Sequence, residues 1–131
     1  MTVAQTLHPD RFFAGFLAGL RLVHPERLSG DRVLFNRAFF TAVSRGSLPF
    51  NIQALDIDYD PLYGVSPWFE RQLTRAQRDL LISFPNPSYA AVDIKLSSEQ
   101  ADRLLDQIGS RPDFIALAQS FMAALSETKQ A

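Results

Sequence analysis

The first element of the chain is set by Phe12-Phe13-Ala14-Gly15-Phe16-Leu17-Ala18-Gly19-Leu20, a run of nine residues without a charged side chain. Its large side chains recur at helical spacing, which predicts a helix from about Pro9 to Val23 with one wide apolar face. Gly15 and Gly19 fall inside this helix, where glycine is unfavourable. We therefore expect another element to cross this strip closely. A helix-dimer contact, which the same G-x-x-x-G spacing forms in membranes, is the alternative.

Composition bounds the class of protein. The chain has 131 residues, of which 47% are hydrophobic and 11 are Phe. This is enough apolar material for one globular domain over residues 1–131, with residues 1–7 and 127–131 as loose tails. The 13 basic and 14 acidic residues are spread evenly and leave a net charge of −1. Because nucleic-acid binders usually carry a basic excess or stripe, a nucleic-acid partner is not expected.

The uncharged run is too short to cross a bilayer, which takes about twenty apolar residues. Asp10 precedes it and Arg21 ends it, whereas a secretory signal begins with basic residues and ends with a small-residue cleavage site. The sequence has no cysteine, which fits a reducing compartment and equally fits an extracytoplasmic protein without disulfides. We therefore expect a cytoplasmic protein with a buried first helix and no membrane association.

The rest of the chain predicts four or five further helices and two strands. Alternating apolar and acidic residues predict one strand over residues 55–60, and residues 92–96 predict its antiparallel partner. The helices are expected from Ser29 or Asp31 to Ser44, from Ser66-Pro67 onward with a break or restart at Thr74–Gln77, from Ser97 to Gly109, and from Arg111 to about residue 126. The fold class is α+β, predominantly α, with five to six helices and a small two-stranded ribbon in the order αα-β-α-β-αα. The first two helices are expected to form an antiparallel hairpin, with Asn36 on the polar side of the second.

The two histidines occur in one repeated phrase, His8-Pro9-Asp10-Arg11 and His24-Pro25-Glu26-Arg27. Proline followed by an acid is typical of the first turn of a helix. We therefore interpret both histidines as residues of helix boundaries rather than as bases or metal ligands. No nucleophile, metal or phosphate motif takes their place in the sequence, and no cofactor is expected.

Three aspartates form the sharpest polar pattern. Asp56, Asp58 and Asp60 alternate with apolar residues, which on a strand would place the carboxylates on one face, about 7 Å apart. Such a row could hold a divalent cation and support a metal-dependent enzyme. The simpler interpretation is a solvated strand face whose charges prevent edge-to-edge pairing.

Aromatic residues cluster after this segment. Tyr59, Tyr63 and Trp68 lie around a loop and a helix start, and Tyr and Trp are enriched where proteins bind one another. These three residues are the predicted partner-binding site. The competing interpretation is that the cluster is buried and fills part of the core.

A basic segment follows on the same predicted helix. Arg71, Arg75 and Arg78 could contact phosphates in the manner of a helix-turn-helix regulator. Pro85 and Pro87 come where a recognition helix should begin, so a solvated face paired with acidic neighbours is the simpler interpretation.

The sequence therefore favours a non-enzymatic, soluble protein-binding module, such as a regulator, adaptor or small assembly subunit. Its expected partner is another protein or a second copy of the chain in a homodimer. A DNA-binding transcriptional regulator and a metal-dependent enzyme that uses the aspartate row remain the alternatives.

Overall fold

The structure is a computed structural model that describes residues 8–24, 28–29, 32–45, 57–79, 81–83 and 91–130. In chain order, these ranges contain α1 (Pro9–Val23), β1 (Leu28–Ser29), α2 (Arg32–Arg45), α3 (Pro67–Arg78), β2 (Ile82–Ser83), β3 (Ala91–Ile94), α4 (Ser98–Ile108) and α5 (Arg111–Gln130). The predicted class, predominantly helical α+β, is confirmed.

The strands form a small antiparallel sheet in the order β1-β3-β2. β3 lies in the centre, where Val92 is opposite Leu28 and Ile94 is opposite Ile82. β3 confirms the strand predicted at residues 92–96. Its predicted partner is different, because residues 57–59 are not in a strand and Asp60 forms only a single bridge to Val65.

Helix packing differs from the predicted hairpin. α1 packs along both α4 and α5, and α5 packs along α2, whereas the backbones of α1 and α2 do not approach each other over a comparable length. α1 and α2 meet through aromatic side chains, with the Phe16 and Phe39 rings 5.0 Å apart. α5 packs against both helices, and its Phe114, Leu117 and Phe121 are buried in the shared core.

The strip of small residues on α1 is the place where α5 comes closest. A Cβ atom added to Gly15 would lie 2.6 Å from the ring of Phe114, and one added to Gly19 would lie 2.7 Å from the Phe114 carbonyl oxygen. Real Cβ atoms do not approach other atoms so closely. The predicted close crossing at these two glycines is confirmed, and the crossing element is α5.

Side-chain caps begin several of the described helices. His8 is the N-cap of α1, where its Nδ1 accepts a hydrogen bond from the backbone N–H of Asp10, and His24 is the C-cap of the same helix. The Ser97–Gln100 capping box begins α4 as predicted. α3 continues without a break through Thr74, whose hydroxyl donates to the Glu70 carbonyl.

A tight turn joins α4 to α5. Gly109 has φ +87° and Ser110 has φ +57°, both in the left-handed region. Arg111 donates hydrogen bonds to the carboxylates of Asp106 and Asp102, at 2.8 and 2.6 Å, which raises the pKa of Arg111 above its ordinary value. These bonds tie the end of α4 to the beginning of α5.

α5 is the longest described helix, with 20 residues. It continues to Gln130 through the expected tail, and Glu127 pairs with Arg45 at 3.2 Å. None of the described helices combines the length with the hydropathy that a bilayer crossing requires.

We predict that Gly19→Ala destabilises the protein even though alanine is the better helix former. The helix propensity gained is about 1 kcal/mol. The added methyl group would lie 2.7 Å from the Phe114 carbonyl oxygen, a backbone atom that cannot rotate away, so forcing the two helices apart should cost about 2–3 kcal/mol. Urea unfolding should therefore show a net loss of stability. Ala116→Gly, at an exposed position of α5, is the control that measures the difference in helix propensity between alanine and glycine without a packing contact. A Gly19→Ala variant more stable than the parent would contradict the close contact.

Candidate functional site

The site is built on a buried polar side chain. Asn36 has no exposed surface, which corrects its predicted place on the polar side of α2. Its Oδ1 accepts a hydrogen bond from the Ser66 N–H at 2.7 Å, and its Nδ2 donates to Glu70 Oε1 at 2.9 Å. Buried amides are as a rule hydrogen-bonded, and these bonds fix the beginning of α3 against the N-terminal half of α2.

The first turn of α3 has a partner for each of its free backbone N–H groups. Pro67 occupies the first position and has no N–H to satisfy. The Trp68 N–H donates to the Asp58 carboxylate at 2.9 Å, and the Phe69 N–H donates to Ser66 Oγ at 3.2 Å. Asp58 also places a negative charge at the positive end of the helix dipole. Residues 57–59 are thereby held beside the helix start.

Residues 60–65, the 60–65 loop, close on themselves by hydrogen bonds. The Asp60 N–H donates to the Val65 carbonyl, and the Gly64 N–H donates back to the Asp60 carbonyl, both at 2.8 Å. Asp60 Oδ1 also accepts from the Leu62 N–H at 2.9 Å. Gly64 has φ +68°, a left-handed conformation that favours glycine. The loop therefore has a defined shape.

The tip of this loop exposes two large apolar side chains. Leu62 is 80% exposed and Tyr63 is 70% exposed. Single exposed apolar residues are common on protein surfaces. Leu62 and Tyr63 are neighbours at the tip of a loop that four hydrogen bonds hold in shape, and together they form a small exposed apolar surface.

The structure separates the three predicted aromatic residues. Tyr63 is at the exposed tip. Tyr59 is half-buried and stacks on Phe40 of α2, with ring centroids 4.6 Å apart. Trp68 is only 3% exposed and stacks on Phe39 in the core, at 5.7 Å. Trp68 therefore offers a partner no surface, and the spacing of the aromatic residues alone did not distinguish it from Tyr63.

Asp58 and Asp60 do not form the predicted strand face, because Asp58 is not in a strand and Asp60 forms only a single bridge. Asp58 and Asp60 each use Oδ1 to accept a backbone N–H, so both hold the backbone in place. Asp56 lies outside the described residues. Within the described ranges, the acidic and imidazole side chains form no group of three that could hold a metal ion.

The three arginines of α3 lie on its exposed side. With Glu70 and Thr74 they line an open groove of about 350 Å³. Arg75 pairs with Asp10 of α1 at 2.8 Å, and Arg78 lies 3.7 Å from Asp79. Nearby carboxylates thus offset two of the three charges. A phosphate would have to compete with these pairs.

The core beneath the sheet contains a small apolar cavity. Its volume is about 20 Å³, room for about one water molecule. The lining has no polar surface and includes Phe13, Leu28 and Phe121. Because binding pockets for small molecules need polar groups that fix the ligand's orientation, this cavity is a packing defect rather than a reaction site.

Comparison with known proteins identifies no relative. No protein-family model, curated protein or solved structure matches the chain. Functional interpretation therefore depends on the geometry of the described residues.

The sequence patterns single out neither the exposed Leu62 nor the buried Asn36. The turn residues Asp60, Pro61 and Gly64 around Leu62 were a usable signal, because an Asp-Pro start and a glycine end are typical of a tight loop that points outward. Asn36 gave no such signal. Helical spacing places it on the edge of the polar face, and only the packing of α3 buries it.

We predict that Asp60→Ala loosens the 60–65 loop, whereas Asp60→Asn preserves it. The amide retains an oxygen that accepts the Leu62 N–H, and the methyl group of alanine does not. Asp60→Ala should therefore lower stability by about 1 kcal/mol and speed hydrogen exchange at the Leu62 amide. Equal losses in both variants would contradict the hydrogen-bonding role of Asp60.

We predict that Asn36→Ala is among the most destabilising substitutions in α2. It leaves the Ser66 N–H and the Glu70 carboxylate without this partner in a buried region, at a cost of about 2–3 kcal/mol. Ser44→Ala, at an exposed position of the same helix, is the matched control and should change stability by less than about 0.5 kcal/mol. Denaturant unfolding measures both variants. Similar small effects would contradict the anchoring role of Asn36.

Proposed function

We propose that the chain is a non-enzymatic protein-binding module, such as a regulator, adaptor or small assembly subunit, that contacts its partner through the 60–65 loop. Leu62 and Tyr63 are the contact side chains. The single observation that carries the proposal is their high exposure, 80% and 70%, on a loop held by hydrogen bonds. A cytoplasmic location belongs to the same proposal and rests on the charged flanks of the first apolar run.

Physical chemistry favours such a surface for binding. Fully burying a leucine-sized side chain is worth about 1.5–3 kcal/mol. Because Leu62 is 80% exposed in the free chain, most of this free energy can still be gained when a partner covers it. Tyrosine combines an apolar ring with a hydroxyl group, which is why it is common at interface hot spots. Because the Asp60 turn orders the loop before binding, little conformational entropy is lost when a partner docks.

The groove on α3 supports a nucleic-acid role less well. Binding to phosphates gains its free energy from cations that release counterions. Arg75 and Arg78 already lie beside Asp10 and Asp79. Salt-dependent retardation of duplex DNA that is lost in Arg71→Ala would favour this alternative over the proposal.

The proposal is tested by site-specific photo-crosslinking in the cells that make the protein. A photoreactive amino acid at position 63 should give a discrete protein adduct, because this side chain would lie in the interface. The same amino acid at Arg103, an exposed position on α4, is the control and should not give that adduct. Leu62→Ser should abolish the adduct without changing the unfolding curve, since Leu62 is exposed.

The purified adduct partner then provides a quantitative test. Tyr63→Ser should weaken its affinity by about 30-fold, which corresponds to about 2 kcal/mol for a hot-spot side chain. Gln119→Ser, at an exposed position of α5, should leave the affinity unchanged. Adducts at position 103 that equal those at position 63, or no adduct at position 63, would refute the proposal.

A further inference from the structure

One face of the molecule is formed by one side of α2 together with the segment that leads into and forms the 60–65 loop. Val33 lies against the loop at Gly64, where its Cγ1 is 3.0 Å from the position that a Cβ atom on Gly64 would take. Seven residues further along α2, Phe40 stacks on Tyr59 at 4.6 Å. The side of α2 that carries Val33 and Phe40 therefore lies beside residues 59–64. We call this surface the α2–loop face; it consists of Val33, Arg37, Phe40, Tyr59, Leu62 and Tyr63, with Asp58 and Asp60 at its edge.

Exposed apolar surface is concentrated on this face. Among the described residues, the large hydrophobic side chains with substantial exposure are Val33 at 38%, Leu62 at 80% and Tyr63 at 70%. All three belong to the α2–loop face. Scattered apolar residues need no explanation, but a contiguous group is typical of an interaction site.

The same face carries charges of both signs. Arg37 is exposed, lies one helical turn from Val33, and forms no hydrogen bond or ion pair in the described part of the chain. Asp58 and Asp60 each accept a backbone N–H at Oδ1, and within the described ranges their Oδ2 atoms accept no hydrogen bond. A partner with one sign of charge would leave either the guanidinium or the carboxylates unmatched. A second copy of this face, rotated by 180°, supplies both opposite charges and an equivalent apolar centre.

Building on the proposed function, we infer that the partner is a second copy of the chain, docked about a two-fold axis through the α2–loop face. Leu62 and Tyr63 of each copy bury against the other copy. Arg37 of each copy faces the acidic edge, Asp58 and Asp60, of the other. The complex is a symmetric homodimer whose interface is polar at the rim and apolar at the centre.

Sedimentation of the full chain over a range of concentrations tests the dimer. The parent protein should show a monomer–dimer equilibrium, and both Tyr63→Ser and Arg37→Glu should raise its dissociation constant at least about tenfold. Arg103→Glu makes the same change of charge at an exposed site on α4 and should leave the constant unchanged. Circular dichroism and unfolding curves confirm that each variant is folded.

A crosslinking experiment locates the axis. The sequence contains no cysteine, so a single introduced thiol reports on one site only. Tyr63→Cys should form a covalent dimer with a short bismaleimide, and Arg103→Cys should remain monomeric. A parent chain that sediments as a monomer at all concentrations, or equal crosslinking at both positions, would overturn the homodimer.

The two proposals fail in distinguishable ways. A photo-crosslinked adduct of twice the chain mass at position 63 supports the homodimer. An adduct with a different protein, together with a monomeric parent chain, overturns the homodimer and leaves the protein-binding function intact. Absence of any adduct at position 63, in a monomeric chain, overturns both.

Discussion

The close contact between α1 and α5 is the constraint on which the remaining structure depends. Gly15 and Gly19 have no side chains, so the ring and the carbonyl group of Phe114 approach the α1 backbone directly. Interiors are packed about as densely as organic crystals, so such a contact limits how far the two helices can shift relative to each other. α5 in turn packs along α2, and α2 carries Asn36. The position of the 60–65 loop follows from this chain of contacts, because Asn36 holds the residue that begins α3.

The polar residues that suggested chemistry in the sequence have structural tasks in the fold. Asp58 caps α3, Asp60 closes a turn, and His8 accepts a backbone N–H at the beginning of α1. Each of these side chains satisfies a backbone donor that would otherwise depend on water. In a sequence, acidic residues at this spacing look the same whether their carboxylates bind a metal ion or accept hydrogen bonds from backbone N–H groups. The hydrogen-bond partners distinguish them, and here the partners of Asp58 and Asp60 are backbone amides.

The proposed function rests on the side chains that the fold leaves exposed to solvent. Among the described residues, eight of the chain's 11 phenylalanines and Trp68 are buried in one cluster. Leu62 and Tyr63 remain exposed because the turn at Asp60 and Gly64 directs the tip of the loop away from that cluster. The α2–loop face combines this apolar tip with an exposed cation and two partly available carboxylates, a composition suited to association with another protein surface.

The sequence by itself determined the local features of the protein. The beginnings of helices at His8, Ser66 and Ser97 were legible because capping joins residues only two or three positions apart. The close crossing at Gly15 and Gly19 could be predicted because glycine is unfavourable inside a helix and is expected there only where another element packs closely. Only the tertiary structure decided that Asn36 is buried and that Tyr63, rather than Trp68, faces solvent. The burial of a side chain depends on which distant segment packs over it, and neither periodicity nor composition carries that information.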